Sequence, residues 1–189
     1  VIYKTITGPS SDVVTVSEAQ EHCVAPDSDP FYMQSLIRSA LRSAESFIDG
    51  FIAQRQVEWY LPGFASKSIS IPLSPIISVD SVSYLDAAGD DQSLSEDVDY
   101  WIQQYAPVPS LVAVKEWPET LDGHPAAVTV RLTAGYADDA SVPEDIKHAI
   151  LLRVAELFEN REESISGVSN TSTQNAMESL LARYRRMGL

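Results

Sequence analysis

Apolar residues recur at three- and four-residue steps through Met33, Leu36, Ile37, Ala40, Leu41, Ala44, Phe47, Ile48, Phe51 and Ile52. Arg38, Arg42, Glu45 and Asp49 lie mostly off that stripe, so the pattern predicts one long amphipathic helix. Asp29 offers a side-chain acceptor to the free N–H groups at its start, and Pro30 suits the first helical position. Upstream, Ser17 with Gln20 three residues on reads as a capping box opening a short helix through about Val24. Ala25-Pro26-Asp27-Ser28-Asp29 breaks it. The helical period returns at Pro143, with Glu144 and Asp145 at the positive end of the dipole. Ile146, Ala149, Ile150, Val154, Leu157 and Phe158 form its stripe, widened by Leu151, Leu152 and Ala155. A helix apolar around more than half its circumference is buried on two sides, at the centre of a domain or also at a subunit contact. Residues 162–175, rich in Ser, Thr and Asn, read as a flexible linker. A last helix carries Met177, Leu180, Leu181 and Tyr184 at helical spacing and ends in Arg183, Arg185 and Arg186.

Between residues 57 and 140 the period changes. Val57–Leu61, Ser68–Ile71, Val79–Leu85, Gln92–Leu94, Tyr100–Gln104, Leu111–Lys115 and Ala127–Ala134 read as strands, closed by Pro, Gly and Asp. Asp86-Ala87-Ala88-Gly89-Asp90 reads as a hairpin turn. The expected fold is therefore α+β: a helical core from residues 1–56 and 143–161, an inserted β-rich subdomain over 57–142, and a linker with a C-terminal helix over 162–189.

Composition narrows the function. With 13 Lys plus Arg against 27 Asp plus Glu, the net charge of −14 argues against gripping DNA or an anionic membrane through the overall field. One cysteine, Cys23, excludes an internal disulfide framework and a multi-cysteine zinc site. No apolar run approaches the roughly 18 residues a membrane helix needs, so no membrane partner is expected.

Catalytic signatures are missing. His22, His124 and His148 fall in three elements without ligand spacing, and no phosphate-binding glycine loop, zinc-protease helix or nucleophile elbow occurs. No cofactor and no metal are expected. Acidic residues do cluster: Asp86, Asp90, Asp91, Glu96 and Asp97 have no base among them, and Asp138 and Asp139 precede Pro143. They read as a solvated rim or as a surface repulsive to polyanions. Trp59, Trp101 and Trp117 with their tyrosine neighbours read as sheet core; exposed together they would form a stacking platform, the site of a soluble monomeric binding module. A carboxylate hydrolase finds no acid–base pair at a recognisable spacing.

The order of short motifs points further. Ile71-Pro72, Pro75-Ile76, Ser81-Val82-Ser83-Tyr84-Leu85-Asp86, Gly89, Tyr100 and Trp117-Pro118 come first. Val128-Thr129-Val130-Arg131, Ala134-Gly135-Tyr136, Val142-Pro143-Glu144-Asp145-Ile146-Lys147 and Leu157-Phe158-Glu159-Asn160-Arg161-Glu162 follow. This series resembles the head–tail connector (adaptor) family of tailed bacteriophages and gene transfer agents over nearly the whole chain. The resemblance implies a non-enzymatic virion protein of the neck, assembled in the bacterial host cytoplasm. It implies a homo-oligomeric ring of about 12 copies beneath the portal protein, joined to a tail or stopper protein, with double-stranded DNA passing through without specific binding. On that footing Met177, Leu180, Leu181, Tyr184, Arg185 and Arg186 are the candidates for portal docking. Glu156, Glu159 and Arg161, beside the widened stripe, are candidates for the ring contact. Asp86, Asp90, Asp91, Glu96, Asp97, Asp138 and Asp139 are candidates for the channel lining.

Overall fold

A computed structural model describes residues 2–9, 12–104, 108–160 and 171–185. Two compact units divide the chain: a β unit from Val1–Ser10 and Gln54–Ala137, and a helical unit from Ser11–Ala53 and Asp138–Leu189. The expected boundaries shift accordingly. The first ten residues leave the helices because β1 (Ile2–Thr5) pairs antiparallel with β2 (Arg55–Leu61).

The β unit holds two antiparallel sheets. The larger has the order β1-β2-β8-β4-β5, with β4 at Ile76–Leu85, β5 at Asp91–Leu94 and β8 at Val128–Ala134. The smaller has the order β3-β7-β6, with β3 at Ser68–Ser70, β6 at Tyr100–Gln103 and β7 at Ser110–Ala113. Register explains the hydrophobic pattern. Trp59, Val130 and Val82 form one cross-strand row and Val57, Leu132 and Val79 the next, all buried. Each such side chain contributes about 1.5–3 kcal/mol by leaving water. Val79 and Val82 are three residues apart, which simple alternation forbids. A register shift between Val79 and Ser81 supplies the extra residue that returns Val82 to the buried face.

The helical unit contains α1 (Val16–His22), α2 (Pro30–Ile48), α3 (Glu144–Glu159) and α4 (Thr171–Leu181), the last running into a 3-10 turn over Ala182–Tyr184. The capping box opens two residues earlier than the sequence reading: Thr15 Oγ1 accepts from the Glu18 N–H, and Glu18 Oε2 accepts from the Thr15 N–H. Those bonds, the Thr15 hydroxyl first, hold the Glu18 carboxyl below its ordinary range. On α2, Asp29 caps through the Phe31 N–H and Pro30 takes the first turn, as expected. Its stripe of Met33, Leu36, Ile37, Ala40, Leu41, Ala44 and Ile48 is buried.

The expected continuation through Phe51 and Ile52 is not helical. Asp49 adopts the left-handed conformation (φ 53°) and stops α2, yet Phe51 and Ile52 stay buried. Glu45, expected off the stripe, makes this possible. It is only 9% exposed, and its Oε1 accepts from the Ile52 N–H (2.9 Å) and the Ala53 N–H (3.3 Å). α4 also corrects the sequence reading, since Thr171–Asn175 are helical rather than linker. The rest of that linker, residues 162–170, lies outside the described residues.

Candidate functional site

The acidic candidates of the β unit sit on one hairpin and the loop after it. Asp86 Oδ1 accepts from the N–H groups of Ala88 and Asp90, Asp86 Oδ2 accepts from Gln92 Nε2, and Gly89 takes the positive φ of 89° that the turn needs. The Asp90 backbone N–H first, then the Gln92 amide, pull the Asp86 carboxyl below its ordinary range. Asp86 therefore builds the turn. Asp90, Asp91, Glu96 and Asp97 are exposed, and among the described contacts their carboxylates make no hydrogen bond back into the turn. Asp138 and Asp139 belong to the helical unit, where Asp138 Oδ1 accepts from the Ser141 N–H at 2.7 Å.

Three further acids of the β unit, Asp80, Glu58 and Asp99, are structural. On the polar face of the larger sheet Asp80 accepts from Gln56 Nε2, Ser78 Oγ and Thr133 Oγ1 at 2.7–3.0 Å. Glu58 accepts from Arg131 Nη2 (2.6 Å) and the Tyr60 hydroxyl (2.7 Å), with Arg131 the main cause of its lowered pKa. Asp99 Oδ2 accepts from the Ser95 N–H.

The aromatic residues separate. Trp59 and Tyr100 are core, while Trp101 is 50% exposed. Trp117 stacks on Phe64 (4.4 Å, 5° between planes) and donates from Nε1 to the Ser66 carbonyl. Beside it an open cleft of about 320 Å³ is lined by Tyr84, Leu94, Val98, Lys115, Trp117 and Pro118, among others. Tyr105 lies outside the described residues.

In the helical unit the docking candidates divide. Met177 and Leu181 are buried as α4 packs against α3 and α2, so in this conformation they face the unit's own interior. The described part of the segment expected over 162–189 thus belongs to the helical unit, with Met177 and Leu181 in its core and the remaining described side chains half-buried or exposed. Leu180 and Tyr184 are half-buried and Arg185 is exposed; Arg186 lies outside the described residues. Arg185 holds its guanidinium 5.4 Å from the Phe47 ring, and Arg183 pairs with Asp145 at 3.1 Å. Of the ring-contact candidates, Glu156 is engaged by Arg153 Nη1 at 2.7 Å. Glu159 is exposed near the C-terminal end of α3, and its charge adds to burial in raising the Cys23 pKa. Arg161 lies outside the described residues. Arg153 keeps a buried Nε with no partner among the described residues. It lines an open pocket of about 350 Å³ with Ser43, Ser46, Phe47, Met177 and Glu178.

Sequence reasoning passed over two exposed side chains. Phe31, in the first turn of α2, is 89% exposed, and Val24, at a left-handed φ of 52°, is 87% exposed. They fall outside every stripe, and a bare apolar residue beside a breaker carries no periodic signal.

Among the described residues no group of three or more His, Cys, Asp and Glu side chains is placed to hold a metal ion, and no helix is long and apolar enough to cross a membrane. His22 and His148 meet edge to face with ring centroids 5.9 Å apart.

Neither a family model nor a curated protein matches the chain by sequence. Solved structures match it by shape. A chain in the neck of an empty GTA particle, computed with C6 symmetry, aligns with a TM-score of 0.80 at 18% identity, covering 100% of this chain and 97% of that one. The neck of a native GTA particle, computed with C12 symmetry, gives 0.79 at 18% identity with the same coverage. A chain in the virion of a native gene transfer agent particle gives 0.80 at 17% identity, again over 100% and 97%. From end to end, then, this chain has the mixed α+β fold of proteins found in the neck of gene transfer agent particles, in keeping with the connector resemblance.

Proposed function

We propose that this chain is a structural, non-enzymatic protein of a virion neck, a head–tail connector that closes as a ring beneath the portal and joins the capsid to the tail. The observation that carries the reading is the full-length fold match at a TM-score of 0.80 to a chain in such a neck. Ring closure draws support from the C6 and C12 symmetry with which the neighbours' necks were computed; a heterologous contact repeated around an axis closes in this way. Portal and tail or stopper proteins are the partners this role requires, with about 12 copies per ring.

Charge suits a conduit. Duplex DNA carries one negative charge per roughly 1.7 Å, and a basic lining would hold it through counterion release. The −14 chain carries Asp90, Asp91, Glu96 and Asp97 exposed and unmatched. Placed at the lumen, they let DNA slide. Asp86 is left out because it builds the turn. For portal docking the surface available is Leu180, Tyr184 and Arg185, with Met177 and Leu181 behind it.

Replacing Asp90, Asp91, Glu96 and Asp97 with Lys tests the conduit. Slower genome release, with the variant still incorporated into particles, is the expected result; release at the unaltered rate overturns the lumen assignment. The rival reading, a soluble monomeric binding module, draws on the cleft beside Trp117. It requires a tryptophan fluorescence change on ligand titration with no ring formed.

A further inference from the structure

We infer that the ring contact is a knob-in-pocket joint within the helical unit: Phe31 of one copy seats in the pocket between Phe47, Met177 and Arg153 of the next. The inference rests on the ring reading above and names the surfaces that would close it.

The knob is built to be occupied. Phe31 is 89% exposed, and Val24, 87% exposed, is a β-branched residue held at a φ of 52°. These two are the most exposed large apolar side chains among the described residues. A positive φ on a β-branched residue is costly, and strain of this kind collects at sites that bind. The loop that carries Val24 and leads into the first turn of α2, where Phe31 sits, is held in shape: Gln20 Nε2 donates to the Ser28 carbonyl, and Asp29 accepts from the Phe31 N–H. A ring presented by a fixed loop binds with little ordering cost.

The pocket answers in size and chemistry. It encloses about 350 Å³, enough for a phenyl ring, and offers the Phe47 ring and Met177. Arg153 adds a guanidinium whose Nε has no partner, and guanidinium groups stack on aromatic faces. Charge is complementary at the margin: Asp27 and Asp29 flank the knob, and the exposed Arg185 covers Phe47 at the pocket. Glu178 also lines the pocket, and Arg153 Nη1 is already engaged by Glu156.

Position on α2 makes a second copy the fitting occupant. Phe31 and Phe47 are sixteen residues apart on one helix. At 3.6 residues per turn they are about 24 Å apart along the axis and point about 160° away from each other. The other pocket residues of α2, Ser43 and Ser46, lie about 120° and 60° round the helix from Phe31 and at least about 18 Å along it, so the knob cannot reach its own pocket and must seat in another copy. Passed from copy to copy, knob and pocket generate a head-to-tail contact, the kind that closes a ring. Crosslinks that stop at the dimer would mark a two-fold exchange and overturn the head-to-tail joint.

The test uses the full chain with Cys23→Ala, keeping Phe31 and carrying Ser35→Cys, one turn along α2 from the knob, and Ser46→Cys at the pocket, incorporated into particles and treated with a short bismaleimide. A ladder of dimer, trimer and higher species is expected, absent from either single-cysteine chain. Phe31→Asp, at an exposed position that leaves folding intact by circular dichroism, is expected to lower incorporation about tenfold or more. A ring visible by electron microscopy with no ladder, and with Phe31→Asp incorporated as well as the unaltered chain, overturns this joint and leaves the ring reading standing. Absence of any ring from particles that contain the protein overturns both.

Discussion

In the β unit the polar face of the larger sheet is closed by its own side chains: Asp80 gathers Gln56, Ser78 and Thr133, and Glu58 gathers Arg131 and Tyr60. The helical unit does the opposite. It spends a buried carboxylate, Glu45, on the backbone N–H groups that follow α2, leaves a guanidinium nitrogen unpartnered beside a pocket, and holds Phe31 in water. A surface satisfied by its own neighbours gains little from a partner, whereas one with an exposed ring gains from burying it. The helical unit carries the two most exposed large apolar side chains, Phe31 and Val24, while the β unit exposes Ile2, Val98 and Trp101 and carries the exposed acids of the β4–β5 hairpin and the loop that follows.

The sharpest way to break that comparison is through α4. Leu181 is fully buried, so Leu181→Ala is expected to cost about 2–5 kcal/mol. Hydrogen exchange should show lost protection in α3 and α4 and intact protection in β2, β4 and β8. Uniform loss across both units would mean they unfold as one and would erase the distinction. Next in size is Glu45→Ala, which strips the acceptor from the Ile52 and Ala53 N–H groups; about 2–4 kcal/mol is expected in urea unfolding. Glu45→Gln keeps a carbonyl acceptor and should recover much of it. Thr15→Ala removes one half of a capping box and should cost about 1 kcal/mol.

The smallest effect concerns pH. Arg131 holds the folded pKa of Glu58 below its value in the unfolded chain. The pair's stabilisation is therefore complete above the ordinary glutamate range and is lost as pH falls through the folded value. Arg131→Met should flatten the part of acid-side instability that belongs to the β unit, measured by unfolding from neutral pH to about pH 3. An unchanged acid limb would show that the pair adds nothing.

Much of the fold was legible because periodicity reports burial. The α2 stripe and the β8 alternation read directly, and Asp29-Pro30 marked a helix start through capping chemistry. What escaped lacked a periodic signal. β1 is four exposed residues whose partner lies some fifty positions downstream, so only tertiary pairing defines it. Thr171–Asn175 has a linker's composition, and packing of α4 onto α3 supplies what propensity does not. Glu45 looked like solvent-facing charge; its role follows from Asp49 turning the chain back so that Ile52 and Ala53 meet its carboxylate. Of the site, the acids and the C-terminal helix were visible as residue types, but which acids build turns and which apolar residues are already buried needed coordinates. Phe31 gave no signal at all.

The central claim is that this chain encircles a channel as a structural part of a neck. Electron microscopy of purified particles, with the protein located by density or label, tests it directly. The account predicts a closed ring of many copies centred on the portal axis, with the helical units of neighbouring copies in contact. A single copy off the axis, or particles whose neck lacks the protein, would contradict it.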